Sequence, residues 1–198
     1  MIPDSHAQRK AKVYEAALAL TSQGVSPAAL TIQQLADAAG IGKGTVYEYF
    51  SSKEEILQGV VCYCFAQENE RIAARFDRCR TLVDLENELV DYLQEVAAQR
   101  MSTYRLLAVN FGQQAALPEC TNACRSQLTA LTDALVARLQ AAGEIDPGLT
   151  MDACRTSIFC TVTGGLIALC CSAGSGDALP DLPQNLRDNL HRSLRPQK

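Results

Sequence analysis

Lys43, Gly44, Thr45, Tyr47 and Tyr49 fall within one short stretch, directly after the glycine-containing run Ala39-Gly40-Ile41-Gly42. An ammonium, a hydroxyl and two phenols this close together can donate to phosphate oxygens and to base edges. Val46 and Phe50, four apart, give the stretch an inner apolar side if it is helical. The polar groups then lie on the start and outer side of that helix. Gly44 has no side chain and permits close approach to a duplex, and a helix N-terminus favours a phosphate. The chemistry is that of a recognition helix entering a major groove.

Such a helix must be held by others. Ile32 to Ala39 reads as a short helix with the apolar stripe Ile32, Leu35, Ala36 and Ala39. Thr31 is its cap, and Gln34 three residues on completes a capping box. Gly40 supplies a left-handed stop and Ile41 a hydrophobic contact behind it. Together with the helix at 43–49 this makes a helix-turn-helix. A first helix is expected at 5–23, on Val13, Ala16, Ala17 and Leu20, with Gly24 as its stop. Ser51 or Ser52 with Glu54 or Glu55 caps a long helix that runs toward Phe76. Further helices are expected at 81–99, 101–115, 119–142 and 149–172, and a weak one at 183–194. The fold class is all-α with about nine helices. The chain divides into a helix-turn-helix domain at 1–52 and a larger helical domain at 53–198.

Composition narrows the function. The 198 residues carry a net charge of −4 and are 47% hydrophobic, so the chain is globular and is no globally basic nucleic-acid binder. Residues 1–53 hold Arg9, Lys10, Lys12, Lys43 and Lys53 against Asp4, Glu15, Asp37 and Glu48, a slightly basic local balance. The longest apolar stretch, Ile158 to Ala173, falls short of a membrane span. Met1 to Lys12 is polar, without a secretory core. A cytoplasmic protein with no membrane partner is expected.

Residues 13–60, from VYEAALALTSQG through LTIQQLADAAGIGKGTVYEYFSSKEEIL, resemble the DNA-binding domain of the TetR/AcrR family of transcriptional regulators. The stretch AAGEIDPGLTMDACRTSIFCTVTGGLIAL is similar to that family's turn between two dimerising helices. The resemblance implies DNA contacts from Thr31, Gly42, Lys43, Gly44, Thr45, Tyr47, Tyr49 and Lys53. Thr31 matches a phosphate contact, and Lys43 and Gly44 match the residues closest to base edges. Gly42 departs from the Ser or Arg of many members. Glu48 departs from their Tyr or His, and either reads a cytosine amino group or faces away from DNA.

A dimer would set two recognition helices about 34–36 Å apart on a palindromic operator. The helices at 119–142 and 149–172 are expected to form it, through Leu128, Leu131 and Leu135 on the first and Ile158, Val162, Gly165, Leu166 and Leu169 on the second. The same stripes could instead face the subunit's own core. The resemblance also implies a pocket for a small organic effector, with Phe65, Tyr92, Tyr104, Asn110, Phe111 and Phe159 as candidate lining, and repression as the regulatory habit.

Nine cysteines are many for such a chain. No C-x-x-C motif occurs and only His6 and His191 are present, so no metal and no cofactor are expected. Cys120 and Cys124 share a helical face and would suit a thiol sensor of oxidants or electrophiles, while small buried hydrophobes are the plainer use of cysteine. Arg80, Arg125 and Arg155 are the cations next to cysteines. No nucleophile motif or phosphate loop appears, so no enzyme is expected. A helical interaction module without DNA binding is the other alternative.

Overall fold

The computed structural model describes residues 6–100, 119–175 and 179–195. Among these are eight α-helices: α1 His6–Ser22, α2 Ile32–Ala39, α3 Lys43–Tyr49, α4 Lys53–Phe76, α5 Leu82–Glu95, α6 Glu119–Ala141, α7 Met151–Ser175 and α8 Leu182–Leu194. A 3₁₀ turn covers Pro27–Ala29, and a π-helical turn, Val96–Arg100, follows α5. The helix expected at 101–115 lies outside the described residues.

Local chemistry sets most of these boundaries. The Thr31 hydroxyl accepts from the Gln34 N–H at 3.2 Å, and the Gln34 side-chain amide oxygen accepts from the Thr31 N–H at 3.0 Å. Gly40 closes α2 at φ 67°, and the Ile41 N–H reaches back to the Ala36 carbonyl at 3.0 Å. At the start of α4 the Glu55 N–H donates to the Ser52 hydroxyl at 3.1 Å, while the Glu55 carboxylate accepts from the Ser51 N–H at 2.7 Å. The Ser51 hydroxyl donates to the same carboxylate at 2.8 Å, and the two Ser51 bonds hold the Glu55 carboxyl below the usual carboxylate range. Thr81 and Asp84 form the equivalent box at α5.

The chain divides into two compact units, Met1–Glu68 with Ser102–Cys124, and Asn69–Met101 with Arg125–Lys198. The core of the first joins Val13 and Ala17 of α1, Leu35 and Ala36 of α2, Val46 and Phe50 at α3, and Ile56, Val60, Val61 and Cys64 of α4. The first sixteen residues of α4 therefore belong with the helix-turn-helix, beyond the boundary near residue 52 that the sequence suggests. Apolar contact, rather than the end of the motif, fixes where the unit stops.

The second unit packs α5, α6, α7 and α8 around Leu85, Leu89, Leu135, Leu139, Ile145, Ile158 and Leu190. The Glu144-Ile145-Asp146 phrase is a structural turn. Ile145 is fully buried, the Asp146 N–H donates to the Leu194 carbonyl at 2.9 Å, and the Gln140 amide donates to the Asp146 and Leu149 carbonyls, each at 3.0 Å.

Glu88 of α5 takes the Arg78 guanidinium through two nitrogens, both at 2.8 Å, and Arg75 at 2.8 Å. Arg78 above all holds the Glu88 carboxyl below the usual carboxylate range. A depressed folded pKa means that this stabilisation is complete above the ordinary glutamate range and is lost as the pH falls through the folded value. Glu88→Gln is expected to cost about 1–2 kcal/mol at neutral pH. The cost should shrink toward about pH 3 in urea-unfolding curves. Superimposable curves at both pH values would remove this ion pair from the account of stability.

Candidate nucleic-acid interface

α3 presents two unlike sides. Val46 is fully buried and Phe50 is 3% exposed, with the Phe50 ring edge-on to Tyr14 at 5.6 Å. Lys43, Gly44, Tyr47 and Glu48 are exposed, and Thr45 and Tyr49 are half-buried. Tyr47, at 54% exposure, is one of few large apolar side chains left in water. Glu48 is exposed with them, so the carboxylate lies on the same open side rather than in the core.

Two glycines stand out here. Gly42 caps α3 at φ −68° and ψ 146° with no side-chain hydrogen bond, so the cap position itself offers no side-chain oxygen to the first N–H groups of the helix. Gly44 has no atom within 4 Å of where a Cβ would sit. A glycine inside a helix costs about 1 kcal/mol against alanine, and nothing described within the subunit requires one there.

The remaining predicted contacts sit at the edges. Thr31 is exposed, its hydroxyl engaged in the α2 capping box. The Lys53 ammonium donates to the Ala28 carbonyl at 2.8 Å and so ties α4 to the turn before α2. The Tyr49 hydroxyl accepts from Arg9 at 3.1 Å, and its ring stacks edge-on against His6 at 4.6 Å. Lys10 lies over the Phe50 ring at 5.0 Å. Arg9 and Lys10 thus brace the C-terminal end of α3. The geometry brings Lys43, Gly44, Thr45 and Tyr47 together and leaves Thr31, Tyr49 and Lys53 as a partly engaged rim.

The predicted dimer stripe divides. Leu135 is 1% and Ile158 5% exposed, and both lie in the subunit's own core with Leu139. Leu131 and Val162 pack against that core, and Leu128 and Leu166 are half-buried. A Cβ on Gly165 would stand 2.7 Å from Leu93 and 3.3 Å from Leu186, so that glycine serves close packing inside the subunit. The open face is the neighbouring one. Cys160, Gly164, Ile167 and Cys171 of α7 are exposed at helical spacing beside Phe159, and Ala130, Ala134, Ala137 and Ala141 are exposed at the same spacing on α6. Phe159 is 64% and Ile167 59% exposed. By length and composition Met151–Ser172, with a mean hydropathy of 1.5, could cross a membrane, where the sequence reading placed no span.

The predicted effector lining does not assemble. Phe65 borders the core of the first unit, Tyr92 is buried in the second beneath Arg75 at 5.8 Å, and Phe159 is exposed. Tyr104, Asn110 and Phe111 lie outside the described residues. A cavity of about 420 Å³ does exist in the second unit, between Val90, Leu93, Gln94 and Ala97 on one side and Leu169, Leu182 and Leu186 on the other. Its lining is aliphatic apart from Gln94, and the π-helical turn after α5 contributes Ala97 and Ala98. Leu169, expected at a dimer interface, faces this cavity. An aromatic search misses it because its walls hold no aromatic ring.

Two of the arginine-flanked cysteines are unsuited to thiolate chemistry. Burial pushes the Cys79 thiol up to about 11, and burial with Asp146 raises that of Cys154. Arg80 donates to the Asp77 and Cys79 carbonyls, and Arg155 pairs with Asp133 and Asp152.

Comparison with known proteins agrees with this arrangement. Residues 13–60 match the family model of bacterial regulatory proteins, tetR family. No curated protein sequence matches the chain. Among solved structures, a tetR-family regulator of Mesorhizobium loti superposes with a TM-score of 0.75 at 17% identity, over 95% of this chain and 96% of its own. FadR of Bacillus subtilis, solved with stearoyl-CoA, superposes at 0.66 and 20% identity, over 95% and 99%. The reduced form of NemR from E. coli does so at 0.68 and 14%, over 95% and 98%. The helix-turn-helix therefore matches the tetR family of bacterial regulatory proteins over residues 13–60, and the chain as a whole shares the fold of the solved structures.

Proposed function

We propose that the protein is a cytoplasmic, dimeric transcriptional repressor that reads a palindromic operator through the outer face of α3 and is released by a small, largely apolar effector. The observation that carries the reading is the exposed Lys43, Gly44 and Tyr47 surface on a helix whose opposite side is fully buried. An exposed aromatic and an unneeded helical glycine are costs to the free subunit. Both are repaid against a duplex, where Tyr47 gains a partner and Gly44 lets the backbone approach a groove.

The same reasoning supports a two-fold dimer along α6 and α7. Gly164 is exposed and has no atom within 4 Å of a Cβ position. It sits between Phe159 and Ile167, where a second helix would find an apolar and narrow seat. The aliphatic cavity beside α5 suits an effector that is mostly hydrocarbon, with the Gln94 amide as its polar group.

A salt-titrated mobility shift on DNA from the protein's own upstream region tests the operator reading. Tight, competitor-resistant binding that weakens steeply with salt is expected. A protein that shows no specific shift there, and enriches no sequence in an unbiased DNA selection, is an interaction module and not a regulator.

A further inference from the structure

Glu48 is the only carboxylate in α3. It is exposed on the same open side as Gly44 and Tyr47, and among the described residues it has no hydrogen bond or ion pair to offset its charge. Two residues of an α-helix turn through about 200°. Gly44 and Glu48 stand two before and two after the fully buried Val46, so both lie nearly opposite it. The pole of α3 that points away from the core is therefore an empty glycine position followed, one turn on, by a carboxylate.

We propose that Glu48 is a specificity-determining residue that accepts a hydrogen bond from the exocyclic amino group of one cytosine in each operator half-site; this rests on the operator-binding reading above. Helical side chains lean toward the N-terminus of their own helix, so Glu48 covers the turn that holds Gly44. No atom lies within 4 Å of where a Gly44 Cβ would sit. That vacancy gives the carboxylate room to approach the floor of a groove.

The charge decides which base it can meet. A duplex carries one negative charge per about 1.7 Å of its axis, so an unpaired carboxylate at the interface weakens binding to every sequence unless a donor answers it. In the major groove the base donors are the amino groups of cytosine and adenine. The adenine amino group sits beside N7, whose lone pair repels a carboxylate. Guanine and thymine present acceptors in the same place. Cytosine alone satisfies Glu48, and the other bases are rejected by leaving a charge against lone pairs.

The test uses full-length wild type, Glu48→Gln and Glu48→Ala, each selecting duplexes from a random pool. Affinities are then read by mobility shift on the wild-type sequence and on one with the enriched cytosine replaced in both half-sites. Wild type is expected to enrich cytosine at one position of each half-site. Glu48→Gln should enrich adenine there, the bidentate partner of a glutamine amide, and Glu48→Ala should show no preference there. All other positions should stay the same. Replacing the cytosine should cost wild type about tenfold or more in affinity and Glu48→Ala less than about twofold. The proposal is overturned if both variants select the wild-type sequence unchanged, or if Glu48→Ala binds every duplex more tightly by one common factor, as a carboxylate facing phosphates would give. A wild type that enriches no sequence at all removes the operator reading, and this proposal with it.

Discussion

Replacing Phe159 and Ile167 together by glutamate is expected to turn the protein into a monomer and to weaken operator binding about 100-fold or more, because the second half-site loses its tethered partner. Both side chains are largely in water in the single subunit, at 64% and 59% exposure. The substitutions should therefore leave the thermal unfolding of the fold nearly unchanged while burying two charges in any dimer that forms. Light scattering behind size exclusion reads the first effect and a mobility shift the second. A variant that stays dimeric and binds as wild type places the interface elsewhere and returns α7 to the question its membrane-length apolar stretch raises. The Leu135 and Ile158 positions would be poor probes. They are buried in the subunit core, so their replacement would unfold the protein before it reported on association.

The second large effect is at α3. Tyr47→Ala is expected to lower operator affinity by about tenfold or more across sequences, through loss of its contact along the duplex backbone. Lys43→Ala should relax discrimination at the base it faces and, as a lost charge, reduce the salt slope by about one contact per subunit. Neither side chain supports the core, so circular dichroism melts should match wild type. Unchanged affinity in both variants at moderate salt would show that α3 is not the reading element. The separation of the two phenotypes is the more informative result, because it distinguishes a group that reads sequence from one that only holds the backbone.

The helix-turn-helix was legible in the sequence almost to the residue, and the reason is that its boundaries are chemical. Thr31 with Gln34, Gly40 with Ile41, and Ser52 with Glu55 each fix a helix end through bonds made within four residues. Such signals do not depend on what lies across the fold. The dimer stripe was legible only as a set of apolar positions. α7 is apolar on nearly every side, so periodicity does not tell the face that meets α5 and α8 from the face left open. Ile158 and Gly165 went inward, and Phe159, Gly164 and Ile167 stayed out. The cavity was not legible at all. It is bounded by aliphatic side chains of α5, α7 and α8, brought together over some eighty residues of chain from Val90 to Leu169 and beyond. Nothing about a leucine in sequence separates a cavity wall from a filled core.

Gly165 meets two side chains, Leu93 and Leu186, and those same two are walls of the cavity. The seat of α7 and the side of the cavity are thus one shared surface. Any occupant broad enough to displace either leucine must do so against a helix backbone with no side chain to yield. The strain then falls on the spacing of α5, α7 and α8, and the cavity acts as a gauge whose width is written into the packing of the helix that bears Phe159 and Ile167.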